Sequence, residues 1–173
     1  MTTADFLVRS ATPADAAVIA HHRAQMFRDI HSLSDELCVA LEHASRAPTA
    51  HLLGTGDYLG WLASPVDDPG TIVAGAGIRI RPALPSVLTR DDRMEVTTGD
   101  HGLIVNVFTE RAWRRRGLAA LLMTYVLEAA HRVPLANIVL HASNDGRPLY
   151  ESLGFVATNE MRYAGTLPLH PSP

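Results

Sequence analysis

"TERAWRRRGLAALLM", residues Thr109–Met123, decides how this chain is read. It sets four arginines on a short turn and then, after Gly117, changes abruptly into apolar helical spacing. The run before it, "HGLIVNVFT", reads as a strongly apolar strand, and "NIVLHAS" beyond it as another, so the arginines fall at a strand-to-helix junction inside a βαβ unit. A helix start carries unpaired backbone N–H groups and the positive end of the helix dipole, which makes it an anion site before any side chain contributes. Arginines add bidentate contacts suited to phosphate. Gly117 permits close backbone approach, and Ala119 keeps the next turn narrow. A P-loop would need its lysine and Ser/Thr, and a dinucleotide site its three glycines; neither is present, so the expected anion is a pyrophosphate held in another way.

Composition sets the frame around this motif. The chain has 173 residues, 47% hydrophobic and 19% charged, which suits one globular domain over residues 1–173. Its net charge of −3 argues against a nucleic-acid binder, whose basic footprint would be broader than one turn. The single cysteine, Cys38, has no internal disulfide partner and reads as a buried small residue in a reducing compartment. "MTTADFLVRS" has no signal core, and "LAALLMTYVLEAA" is too short and too amphipathic to span a bilayer. A cytoplasmic protein is expected, with no membrane partner.

Towards the N-terminus, "DFLVR" reads as a strand and "ATPADAAVIAHHRAQMFRDI" as a helix opened by a capping box at Thr12, Pro13 and Asp15. Its apolar stripe runs through Ala16, Ile19, Ala20, Met26, Phe27 and Ile30, and Arg23 falls inside that stripe. An inward guanidinium needs a partner, either a structural carboxylate or a bound anion. "SDELCVALEHASRA" predicts a second helix with Leu37, Ala40, Leu41 and Ala44 inward, ended by "GTGD". "YLGWLA" and "TIVAGAGIRIR" predict an antiparallel pair, with Ile72, Ala74, Ala76, Ile78 and Ile80 on one face; the strand spacing that runs through "GAGIRI" excludes a dinucleotide loop. "TRDDRMEVTTGD" reads as a polar linker. In the helix after Gly117, Leu118, Leu121, Leu122, Tyr125 and Ala129 share one side. "GRPLYESLG" predicts a short helix, "FVATNEMRYA" a closing strand, and residues 164–173 a tail.

Arg114-Arg115-Arg116-Gly117-Leu118-Ala119 resembles the R/Q-x-x-G-x-G/A signature of the GNAT superfamily of N-acetyltransferases, and "LHASNDGRPLYESLGF" resembles the second half of that family's motif region. The order of elements is similar over nearly the whole chain. The resemblance implies an α/β fold with a mixed, mostly antiparallel central sheet of about six or seven strands, flanked by helices and splayed at a central parallel pair. It implies acetyl-CoA as cosubstrate. Val107, Phe108 and Thr109 would pair with the pantetheine arm and acetyl carbonyl, and Arg114, Arg115, Arg116, Gly117, Leu118 and Ala119 would hold the phosphates. Asn144, or Ser143 in its place, would present a polar side chain to the cofactor. Tyr150 matches the general acid: a phenol with an ordinary pKa of about 10 stays protonated at neutral pH and can donate to a departing thiolate. Its alternative is packing against "LGF". The family also implies a homodimer as an option.

The residues leave other roles open. A general base is required, because an ammonium must lose a proton before it attacks. Glu95, Asp100, His101, Glu110 and His141 are candidates, and His141 is equally readable as a core histidine. The nine histidines lack zinc-type spacing, so no metal is expected. The acceptor, a small-molecule or peptide amine, is expected near "FRDIHSLSDE" and "TRDDRMEVTTGD", with Arg23, Phe27 and His31 as candidate contacts; the acidic residues of these connectors favour a cationic amine. A CoA-binding regulatory module with the same fold and no turnover is the alternative function.

Overall fold

The computed structural model describes residues 5–161 apart from residue 91, and the expected tail lies outside the described residues. The chain divides into two units, residues 1–141 and 142–173.

The first unit opens with β1 (Phe6–Ser10), a 3-10 turn over Pro13–Asp15, and α1 (Ala16–His31). Asp15 closes the expected cap by accepting from Thr12 N at 2.8 Å and Thr12 Oγ1 at 3.0 Å, while Arg9 grips the same carboxylate. That grip holds the Asp15 carboxyl down at about 2. α2 (Asp35–Thr55) starts at Ser34, whose hydroxyl accepts from Leu37 N, and runs through Pro48 to a left-handed Gly56. β2 (Tyr58–Pro65) and β3 (Ala74–Arg81) follow, then β4 (Ser86–Arg90), β5 (Arg93–Thr97), β6 (Asp100–Thr109), α3 (Leu118–Ala130) and β7 (Leu135–Leu140). The central sheet has order β1-β2-β3-β6-β7; only β6 and β7 are parallel, joined through α3 as the βαβ reading requires. From Val73 to Ile78 the chain is buried without interruption, because α1 covers one face of the sheet and α3 the other.

The expected fold class holds, a mixed, mostly antiparallel sheet flanked by helices with its parallel pair at β6 and β7, but among the described residues the central sheet has five strands where six or seven were expected, because β4 and β5 pair apart from it. The details correct several expectations. "TRDDRMEVTTGD" is no open linker, since β4 and β5 form a separate two-stranded hairpin in which Val87 faces Val96 and Thr89 faces Met94. The inward face of α2 passes through Cys38 and Leu41, leaving Leu37, Ala40 and Ala44 exposed. In α3 the buried set is Leu118, Leu122, Met123, Val126 and Ala130, so Tyr125 points outward. Ile30 of α1 is exposed, and the buried stripe instead includes His22 and Ala24. Cys38 is buried as expected, with Arg28 Nε donating to its sulfur at 3.0 Å.

The second unit carries α4 (Arg147–Ser152), ending at a left-handed Gly154. Phe155–Met161 forms no strand, so the closing strand is absent over the described part of "FVATNEMRYA". No helix among the described residues is long and apolar enough to cross a membrane.

Candidate active site

β6 and β7 pair from Asp100 and Leu135 only as far as Ile104 and Leu140. Beyond that point β6 continues to Thr109 with β3 alone, so among the described residues the β7 side of Val105–Thr109 carries no strand partner. This is the expected splay, and main-chain groups on that side of the strand pair elsewhere, as Thr109 O does by accepting from Arg114 Nε. A bulge deepens it. Gly75 faces Phe108 and Gly77 faces Val105, so Asn106 and Val107 together oppose Ala76, and Asn106 takes a left-handed conformation with φ 57°.

After Thr109 the chain makes a 3-10 turn over Arg111–Trp113 and enters α3 through left-handed residues at Arg115 (φ 63°) and Gly117 (φ 80°). Arg115 is strained there as a side-chain-bearing residue, whereas glycine is not. Leu121 N bonds to Gly117 O, so the N–H groups of Leu118, Ala119 and Ala120 remain at the helix start without helical acceptors. No acidic side chain occupies the first turn. The local field is therefore positive and open to an anion.

The arginines divide. Arg111 and Arg114 both donate to the Asp29 carboxylate near the end of α1, and Arg114 Nε also donates to Thr109 O at 3.0 Å. Partial burial pushes the Asp29 carboxyl up, and the hydrogen bonds from Arg111 and Arg114 outweigh it, leaving it below the usual carboxylate range. Arg116 lies over the Trp113 ring at 4.7 Å and donates to Ala112 O, and Trp113 meets Phe6 edge-on. These contacts brace the turn from both sides. Arg115 is exposed.

A polar cluster on the α1 side of the sheet escaped the sequence reading. Asn106 Oδ1 accepts from Arg23 Nη1 at 2.9 Å, and its Nδ2 donates to the Tyr58 hydroxyl at 3.2 Å. Burial pushes the Tyr58 hydroxyl up to about 12, against the bond from Asn106. Tyr58 lies where a side chain on Gly77 would be, and the His22 ring approaches Gly75. The two glycines of "GAGIRI" thus seat an aromatic ring and an imidazole. Burial, with His21 beside it, holds the His22 ring down at about 4, so it is neutral at pH 7. Its Nε2 lies 3.5 Å from Glu110 Oε1, while Nδ1 is buried without a partner. The space among Ile19, His22, Tyr58 and Asn106 is too tight for a water molecule.

Arg23 also lies over Phe27 at 4.9 Å, and Phe27 stacks on His31, so the three acceptor candidates form one row along α1. Of the base candidates, Glu110 joins His22 and His21, Glu95 is exposed on the hairpin, Asp100 and His101 begin β6, and His141 is exposed beyond β7. No group of three metal-ligating side chains gathers among the described residues.

Within the second unit, Tyr150 is half-buried on α4 and meets Phe155 edge-on, and burial raises its hydroxyl above the ordinary value. The ring packs against Gly146, where an added Cβ would come within 3.0 Å. Ser143 Oγ accepts from Gly146 N, and Asn144 is exposed.

The family model of the acetyltransferase (GNAT) domain matches residues 94–171, the stretch holding β6, the arginine turn and α4. A GCN5-related N-acetyltransferase from Ralstonia eutropha is 27% identical, with 91% of this chain and 97% of that one covered and a TM-score of 0.74. A predicted acetyltransferase from Clostridium acetobutylicum, solved with acetyl-CoA, shares the fold at 24% identity, 92% and 96% coverage and a TM-score of 0.73. Glucosamine-6-phosphate N-acetyltransferase from Arabidopsis thaliana shares it at 15% identity, 92% and 99% coverage and a TM-score of 0.61. No curated protein matches the chain in sequence. With the splayed strand pair and the glycine-gated helix start already in place, these matches give the chain the GNAT acetyltransferase fold, and its residues 94–171 are similar to the acetyltransferase (GNAT) domain.

Proposed function

We propose that the chain acts as a single N-acetyltransferase domain, moving the acetyl group of acetyl-CoA to a primary amine by direct attack within a ternary complex. The observation that carries this reading is the junction of β6 and α3. A strand half-stripped of its partner runs directly into a positive, glycine-gated helix start. Main-chain groups of Val107, Phe108 and Thr109 suit an amide-bearing arm and a thioester carbonyl. The N–H groups of Leu118 and Ala119, with Arg115, Arg116 and Gly117, suit a pyrophosphate, and Arg114 braces the turn while lending it charge.

In the reaction the amine nitrogen attacks the thioester carbon, the C–S bond breaks, and the thiolate takes a proton from the Tyr150 hydroxyl. Burial supports this role by keeping the phenol protonated. Asn144 and Ser143, before α4, are assigned to the cofactor side. The proton shed by the amine is assigned to Glu110, which ends β6 beside a neutral imidazole. A CoA-binding module without turnover is the competing reading.

Release of free thiol from acetyl-CoA, measured over a panel of polyamines, aminoglycosides, amino acids and peptides, separates the two. Turnover with some amine, falling about a hundredfold or more in Tyr150→Phe with CoA affinity retained, supports the enzyme. CoA binding with no turnover on any amine supports the module.

A further inference from the structure

Away from the phosphate turn, two half-buried guanidinium groups on the α1 side of the sheet have no acid partner among the described residues. Arg23 is half-buried on α1 and spends one donor on the neutral amide of Asn106. Arg79, also half-buried, sits on β3 opposite Tyr58 of β2 and Leu103 of β6. Residues facing across antiparallel strands share a side of the sheet, as do alternate residues of one strand. Arg79 therefore lies on the side of Gly77 and Gly75, where Tyr58 and His22 pack, which is the side of α1. It is near enough to Arg23 for the two charges to oppose each other. Its Nε is buried without a hydrogen bond.

Several other arginines have an acid, Asp15 for Arg9, Asp35 for Arg28, Glu42 for Arg46, and Asp29 for both Arg111 and Arg114, while Arg81, Arg93, Arg115 and Arg132 are exposed to water. Among the described residues, neither Arg23 nor Arg79 pairs with a carboxylate. A partly buried cation without a counter-charge is costly, and two that repel each other are more so. Asn106 and Tyr58 cannot repay that cost, because both are neutral at pH 7. A ligand anion can, and guanidinium forks are built for carboxylate and phosphate.

We propose that Arg23 and Arg79 form a subsite for an anionic group, a carboxylate or a phosphate, carried by the acceptor amine. The assignment rests on the acetyl-transfer reading above, because Asn106 ties Arg23 to the same stretch of β6 that is assigned to the thioester. It runs against the cationic amine that the acidic connectors suggested. Those connector acids are accounted for in part by Asp29 and Asp35, which are engaged by arginines.

The test uses matched amines: amino acids and dipeptides against their C-terminal amides, phosphoethanolamine against ethanolamine, and glucosamine 6-phosphate against glucosamine. Thiol release is followed with wild type, Arg79→Gln and Arg23→Gln, and direct binding of each anionic compound is followed by thermal shift. The expected result is turnover favouring the anionic member of a pair by about tenfold to a hundredfold, with that preference collapsing in Arg79→Gln while acetyl-CoA affinity holds. Whether carboxylates or phosphates give the hits identifies the anion. Equal or better turnover of neutral or cationic amines overturns the proposal, as does a preference that survives both variants. If no amine turns over, the acetyl-transfer reading fails separately. The subsite then stands on Arg79-dependent thermal stabilisation by an anionic compound and falls if there is none.

Discussion

The arginines of the turn before α3 and the pair on the α1 side of the sheet are held in opposite ways. In the turn, positive charge is concentrated and then restrained: Asp29 takes Arg111 and Arg114, Trp113 carries Arg116, and the backbone of α3 supplies the remaining field. On the α1 side, Arg23 and Arg79 come from distant parts of the chain and are partly buried; Arg23 donates to Asn106 and lies over Phe27, and among the described residues neither has a carboxylate partner. The first arrangement is stable without a ligand and still attracts an anion. The second is left electrostatically incomplete. One fold therefore holds two positive sites of different character, and substitutions that treat them differently test the contrast.

The largest effect is expected at the turn. Gly117→Asp places a side chain at φ 80° and a carboxylate against the pyrophosphate, and CoA affinity in a calorimetric titration should fall about a hundredfold or more, with the helical signal retained. Unchanged affinity would move the anion site elsewhere. On the α1 side, Asn106→Leu removes the acceptor of Arg23 and the donor to Tyr58 and forces a branched residue into a left-handed bulge. Chemical denaturation should show a loss of about 3 kcal/mol, and a loss below about 1 kcal/mol would mean that the cluster is not structural.

The third effect is a pH dependence. His22 is held at about 4 in the folded chain against an ordinary 6.5, so below pH 6.5 the unfolded chain binds the extra proton and stability falls as pH drops towards 4. By pH 5 that difference is worth about 2 kcal/mol, and His22→Gln should flatten the corresponding slope in denaturant titrations. A slope identical in the two proteins would assign it to other groups. The smallest effect is expected at Asp29→Ala: its ion pairs are partly exposed, so stability should fall by less than about 1 kcal/mol, with a steeper salt dependence of CoA binding. A collapse of the fold would make Asp29 a keystone rather than a restraint.

The same contrast governs what could be read from sequence. The turn and its helix occupy consecutive residues, and a change from arginines to apolar spacing across one glycine is a local signal. The strand-to-helix junction, the capping box and the short helix carrying Tyr150 were legible for the same reason. The α1 cluster was not, because Tyr58, Asn106, Arg79 and His22 become neighbours only when β2, β3 and β6 align beneath α1. Arg23 in an apolar stripe was its one visible trace. Helix faces failed where the pattern was degenerate: "LAALLMTYVLEAA" is apolar nearly all round, and packing against the sheet chose Met123 and Val126 over Leu121 and Tyr125. The hairpin was missed because charged residues at its tip masked the pairing of Val87 with Val96.

The account rests on acetyl transfer at the end of β6, and its most direct test follows the acetyl group itself. Acetyl-CoA labelled in that group would be incubated with the wild-type chain and the matched amines, and every labelled product weighed by mass spectrometry. The account predicts label in an N-acetylated amine, equal in amount to the free CoA formed. Label that stays in acetyl-CoA, or leaves only as acetate, would contradict it.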